Sequence, residues 1–241
     1  MDELKMYQVS TLQALALGYT RAVIDVEELE KHGDTGLGTF TGVDGEMIFL
    51  DGKCYRAKED GSVVEAEKEM GVPFASICYL NGSRTFELSQ VKGIDELKNI
   101  LNNKIEEKFG LNSMHMVRID GVFPVVHARS ESAYHAIHVS LKDMLAETQK
   151  SFCFEQVHGS LVCVYYPDYM DGINAAGWHF HFVSDDRTKG GHVFEIEMSS
   201  GKVQLDKINL IELQLPTEPM FDTYALKGAS EDEIKQVEQG K

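Results

Sequence analysis

The sequence predicts a strand-rich α+β fold, and three features lead to it. Segments with helical spacing fall mainly before residue 150. Short apolar runs punctuated by Gly and Asp fill residues 32–57. From Phe152 onward the chain reads mostly as strand. Helices and strands segregated in this way argue for α+β rather than an alternating wound sheet. The expected architecture is an N-terminal mixed sheet with helices over 1–150, then a C-terminal antiparallel, β-barrel-like half over 151–241. A chain of 241 residues is long enough for one large domain or for two small ones sharing a core.

Taken in order, a first helix is expected to begin near Ser10 or Thr11 and to run through LQALALGY. The stretch HGDTGLGTFTGVDGEMIFLDGKCYRA reads as hairpins. TGLGTF, EMIFLDG and KCYRA supply the strands, with Asp51-Gly52 at a turn. VPFASICYL and RTFELSQV are further strands. Residues 94–109 place Leu97, Ile100, Leu101 and Ile105 at helical spacing, and Gly110 follows as a stop. MHMVRIDGVFPVVHARS reads as two strands around Asp120-Gly121, and YHAIHVSLKDMLAETQ as a helix. CFEQVHGSLVCVYY, GWHFHFVS and GHVFEIEMSSGKVQLDKINLIELQL are strands, the last broken by a turn at Ser199–Lys202. No internal repeat or proline-rich linker divides the chain.

The formal net charge is −16, and Lys and Arg form no basic patch. Nucleic-acid affinity rests on neutralising phosphates, so no nucleic-acid partner is expected. The same field repels small anions at long range. An anionic substrate therefore needs a strong local positive centre. No apolar run approaches the roughly 18 to 20 residues of a membrane helix, and MDELKMYQVS lacks the apolar segment of a signal peptide. The expectation is a soluble, cytoplasmic protein. Cys54, Cys78, Cys153 and Cys163 form no CxxC pair and are expected to be reduced and buried.

The segment GWHFHFVSDDRTKGGH concentrates three histidines. Residues i and i+2 of a strand share a face, so His179 and His181 lie together. Trp178, Phe180 and Phe182 take the opposite, core-forming face. SDDRTKGG permits a sharp return, which puts His192 at the start of the next strand. Two antiparallel strands can then bring three imidazoles to one point, the donor set of a catalytic zinc with an open position. Without the third histidine, HxH is weak evidence for a metal and reads as a pair of surface residues on a half-exposed strand. Cupin barrels also use an HxH strand, but they add a later histidine, and none follows His192.

The run GINAAGWHFHFVSDDRTKGGHVFEIE resembles the signature of α-acetolactate decarboxylases. So do YQVSTLQALALGY, the glycine-rich stretch after it and VRIDGVFPVVHARS. The resemblance extends from about Tyr7 to Glu238. It implies decarboxylation of 2-acetolactate to (R)-acetoin by an enzyme that tends to dimerise. It also implies a zinc held by His179, His181 and His192, and active-site residues Glu46 in the DGE motif, Arg129 and Glu238. Arg129 has Ala128 and Ser130 beside it where the family has a Thr-Arg-Thr-like stretch. Glu233 is the alternative to Glu238. From the residues alone, Glu46, Arg129 and Glu238 read as solvated or ion-paired surface groups. His32, His115, His127, His135, His138 and His158 match no ligand spacing.

Loss of CO2 from acetolactate leaves an electron pair that must enter an enediolate. Zinc suits that charge as a Lewis acid, Arg129 can orient the carboxylate, and Glu46 or Glu238 can protonate one face. A cupin-type oxygenase and a non-catalytic metal-ordered module are the competing readings. The tail separates solvated terminus from active-site element. Met220, Phe221, Tyr224 and Leu226 can pin it to the body, each burial stabilising by roughly 1.5 to 3 kcal/mol before ordering entropy. Deleting residues 230–241 is expected to leave zinc bound but sharply reduce acetoin formation, and Glu238→Gln to reproduce most of that loss. Full-length rates in the truncated protein would make the tail a solvated terminus.

Overall fold

The computed structural model describes residues 4–136, 138–224 and 226. Its strands are β1 (Lys5–Val9), β2 (Ile24–Asp25), β3 (Thr35–Thr39), β4 (Glu46–Leu50), β5 (Lys53–Ala57), β6 (Val63–Glu65) and β7 (Gly71–Val72). They continue with β8 (Phe74–Cys78), β9 (Arg84–Val91), β10 (Met114–Glu131), β11 (Gln149–Tyr166), β12 (Gly177–Ser184), β13 (Gly190–Ile208) and β14 (Leu210–Gln214). The helices are α1 (Leu12–Ala16), α2 (Val26–Leu29), α3 (Ile94–Glu106), α4 (Leu141–Thr148) and α5 (Pro219–Asp222). The fold is thus a strand-rich α+β arrangement. Among the described residues no helix is long and apolar enough to cross a membrane.

The first sheet has seven strands in the order β14-β1-β8-β3-β4-β5-β6. It is mixed, because β1 runs parallel to β14 and antiparallel to β8. Asp51 and Gly52 turn between β4 and β5 with φ of 55° and 73°, the two-residue turn whose twist matches the strands. The second sheet has the order β10-β11-β12-β13-β9. Its pairings return on themselves: β10 pairs with β11 and β13, β11 with β12, and β12 with β13 from His181 to Val183. Residue 150 does not separate the sheets. β9 and β10 precede it and pair with β13 and β11, whereas β14 follows it and pairs with β1.

Period-two alternation gives each sheet two buried faces. Leu37, Ile48 and Leu50 of the first sheet meet Met116, Val162, Val164 and Val183 of the second. The other face of the second sheet packs Phe123, Phe180, Phe182 and Ile196 against Leu97, Leu101 and Ile105 of α3. The other face of the first packs Met47, Phe49 and Ile77 against Val26 and Leu29 of α2. Each large apolar side chain buried in these layers stabilises by roughly 1.5–3 kcal/mol. The site sits in the layer between the sheets.

Four elements differ from expectation. Asp120-Gly121 is no turn, because β10 continues through it, with Gly121 opposite Gly159 and Gly201. A Cβ at Gly121 would lie 2.5 Å from the Ser200 carbonyl oxygen, so the glycine serves close strand approach. Gly201 likewise sits inside β13 rather than in a turn. The helix expected from Tyr134 begins at Leu141, where Ser140 is extended (ψ 151°) and its side chain accepts the Asp143 N–H. The first helix stops at Ala16, and Gly18 takes φ +93° against the Val139 carbonyl. Cys54, Cys78 and Cys163 are buried as expected, but Cys153 is exposed on β11.

His115 is a buried histidine outside the site, with Phe109 and Tyr165 rings about it. Burial, and then Lys207, pushes its pKa down to about 4. The ring stays neutral in the folded state but charges near pH 6.5 once unfolded. Its contribution is therefore fully present above pH 6.5 and lost as the pH falls towards 4, by roughly 3 kcal/mol in total. Urea unfolding across this range should show that loss, and His115→Phe should flatten the profile. Equal pH slopes in both proteins would refute it.

Candidate active site

His179, His181 and Val183 leave β12 towards the first sheet, whereas Phe180 and Phe182 face α3. On the α3 side Trp178 Nε1 donates to Asn102 Oδ1 at 2.7 Å, which fixes the strand's orientation. His181 stands directly opposite His192 on β13. Strict alternation along HVFEIEM would send His192 to the same side as Ile196, towards α3. A register shift prevents this. His127 pairs with Glu195 and Ala128 with Val193, leaving Phe194 as an extra residue. This β-bulge lets Val193 and Ile196, three residues apart, both join the α3 core. His192 consequently turns into the layer between the sheets.

The three rings converge. His179 Nε2 lies 3.0 Å from His181 Nε2 and 3.0 Å from His192 Nδ1, and one ligand atom from each residue fits within 4.8 Å. All three residues are buried. Burial, and next the Arg129 charge, lowers the His179 pKa to about 3. Burial, then His179, also holds His181 well below the usual range. Neutral rings are the ligating form. A ring nitrogen carries either a proton or a lone pair, so His179 Nε2 cannot make good hydrogen bonds to both neighbours at once. A cation facing all three lone pairs resolves that conflict. His181 Nδ1 lies 2.7 Å from the Met47 carbonyl oxygen; donating there leaves Nε2 free to ligate, the usual outer support of a metal-bound histidine. The residues therefore fit a metal ion.

Glu46 opens β4 on the face of Ile48 and Leu50, towards the second sheet. Its carboxylate lies 3.3 Å from His181 Nε2 and 3.8 Å from His192 Nδ1, so it faces the same point as the rings. Ser130 fixes its backbone: the Ser130 hydroxyl accepts the Glu46 N–H at 3.2 Å and donates to the Ala57 carbonyl at 2.8 Å. Arg129 is buried beside His192, with Nη2 3.3 Å from His192 Nε2. The sequence-derived set of His179, His181, His192, Glu46 and Arg129 is thus brought together. Glu238 and its alternative Glu233 lie outside the described residues. The described beginning of the tail packs Phe221 and Tyr224 edge-on to Tyr19 and pairs Glu218 with Arg21 at 2.7 Å.

These groups open onto a cavity of about 430 Å3, counting its mouth. Thr39, Glu131 and Gln149 add polar lining, while Leu15, Val43, Phe74, Leu141 and Leu145 form an apolar wall. Sequence reasoning missed Ser130 and Glu131. Period-two spacing from Arg129 along one strand was the signal for Glu131.

The sequence profile of the family described as alpha-acetolactate decarboxylase matches residues 6–228. The alpha-acetolactate decarboxylase of Methanosarcina mazei is 36% identical over 233 residues, covering 97% of this chain and 80% of the relative. That of Lactococcus lactis subsp. lactis is 33% identical over 219 residues, covering 89% of each. The crystal structure of alpha-acetolactate decarboxylase from Bacillus subtilis superposes with a TM-score of 0.91 at 29% identity, covering 97% of this chain and 99% of that one.

His179→Ala should remove most bound metal, measured by elemental analysis of purified protein. His158→Ala, at an exposed ring, should leave the metal in place. A full metal complement in the His179 variant would refute the cage.

Proposed function

The chain belongs to the alpha-acetolactate decarboxylase family and is a carboxy-lyase acting on a small molecule, and we propose that it uses zinc to convert 2-acetolactate to (R)-acetoin and CO2. One observation supports this most: three buried imidazoles, a carboxylate and a guanidinium meet in a single pocket. His179, His181 and His192 would hold the metal. Zinc bound there would supply a Lewis acid for the negative charge left on the substrate oxygens when CO2 departs.

The chain's own groups divide the remaining work. The planar cationic fork of Arg129 matches a carboxylate. It orients the carboxylate that leaves, and it is the local positive centre that a chain of net charge −16 needs. The apolar wall excludes water from the electron-rich intermediate, an enediolate, so charge interactions stay strong. Carbon protonation then completes acetoin. Glu46, its carboxylate turned to the ring nitrogens, can hold that proton on an Oε atom; Glu238 is the second candidate. Delivery from a fixed side gives one enantiomer. The reading includes a homodimer, as the resemblance implies, and a cytoplasmic setting, in which four free thiols stay reduced.

The deciding experiment supplies racemic acetolactate and measures CO2 and acetoin with and without a chelator. Acetoin release that the chelator abolishes and zinc restores is expected. Oxygen uptake without acetoin would match a cupin-type oxygenase instead. Arg129→Lys keeps a cation but loses the fork, and it should depress turnover by about 10²-fold or more, the scale of losing one preorganised charge contact, with metal retained. Near-normal turnover in that variant would rule out a fork-specific role.

A further inference from the structure

We propose that Glu131 is a specificity-determining residue, selecting substrates by the size and polarity of the group farthest from the histidines. This rests on the decarboxylase reading above. Glu131 is only 1% exposed, yet it lines the same cavity as Arg129, Glu46, His179 and His192. It stands two residues beyond Arg129 on β10, so both side chains leave one face of the strand, about 6.6 Å apart along it. The strand register gives the direction. His181 is opposite His192, His192 is opposite Arg129, and Glu131 is the next same-face position, opposite Gln149. Moving away from the histidines, the polar side of the cavity therefore reads guanidinium, then carboxyl. Leu141 and Leu145 from α4 and Leu15 from α1 add apolar surface to the same cavity, and Gln149 adds an amide.

Acetolactate held with its carboxylate at Arg129 and its hydroxyl and ketone towards the histidines has only methyl groups left for the rest of the cavity. A carboxyl group gains nothing from a methyl. A longer 2-alkyl chain presses more apolar surface onto Glu131 and strips polar surroundings from it. A 2-substituent ending in a hydroxyl can instead donate to the carboxyl oxygens. Glu131 thus favours short or hydroxylated 2-substituents. Replacing it with leucine makes that position of the wall apolar, where one methylene changes kcat/KM by roughly 10- to 200-fold.

The test measures kcat and KM of the full-length, zinc-supplemented protein on 2-acetolactate and on its 2-ethyl homologue. Glu131→Leu is expected to raise the ethyl-to-methyl ratio of kcat/KM by about tenfold or more, mainly through KM, whereas Glu131→Gln holds it within about threefold of the wild type. Should the leucine variant fail to fold, Glu131→Val makes the same substitution of polar by apolar in a smaller volume. A purely structural role lowers turnover of both substrates together, and an unchanged ratio in the apolar variants overturns the assignment. Wild-type protein that releases no acetoin at all overturns the decarboxylase reading, and this proposal with it.

Discussion

The constraint on which the rest depends is that three imidazoles must share a water-poor layer between two sheets. Uncharged rings tolerate burial only when their nitrogens find partners. Here each ring points at the others, and their proximity leaves a conflict that a cation relieves. Both sheets are needed for this. The second sheet supplies the rings from β12 and β13. The first supplies the Met47 carbonyl that orients His181 and the Glu46 carboxylate that faces the cluster. Separating the sheets would hydrate the rings and remove both supports at once. Site and core are therefore one packing problem, with Val183 and Ile48 in the apolar layer that continues from the polar centre.

Much of this was legible in the sequence because it follows period two. Alternation placed His179 and His181 on one face and the aromatics on the other, and the Asp51-Gly52 turn and the α3 stripe were read from local signals. What stayed hidden depends on partners distant in sequence. Gly121 looks like a turn until Gly159 and Gly201 are seen across from it. Tyr134 to Val139 carries helical spacing, yet the helix waits for the cap at Ser140. Cys153 reads as buried by residue type, but its place on β11 leaves it outside. Residue 150 looked like a boundary because helical spacing falls mainly before it and strand patterning after it, whereas hydrogen bonding crosses it in both sheets. Glu46 and Arg129 looked like surface charges, and only the family resemblance lifted them from that background. Ser130, which holds the Glu46 backbone, gave no local signal of that task.

Electrostatics makes the pocket an exception within its own protein. The chain as a whole repels anions, but Arg129 is buried beside the rings, where its field is poorly screened. Burial, and then that field, lower the His179 pKa, so the cation that would receive a carboxylate in the proposed reaction also helps to keep a neighbouring imidazole unprotonated. The arrangement tolerates Glu46 nearby because that carboxylate faces the ring nitrogens, where a bound cation would balance it.

The placement of His192 shows how a small irregularity carries functional weight. Residues 195–208 of its strand follow the irregularity in register with β10, and a regular ladder continued through it would bury His192 against α3. The extra residue Phe194 breaks the alternation once, between Glu195 and Val193. The side chains of Val193 and Ile196 keep the α3 core continuous, so the bulge costs little packing. In exchange the ring changes sides and joins His179 and His181. The third imidazole of the cluster therefore comes from a break in the pattern that located the first two, and the regular part of the sheet is what holds that break in register.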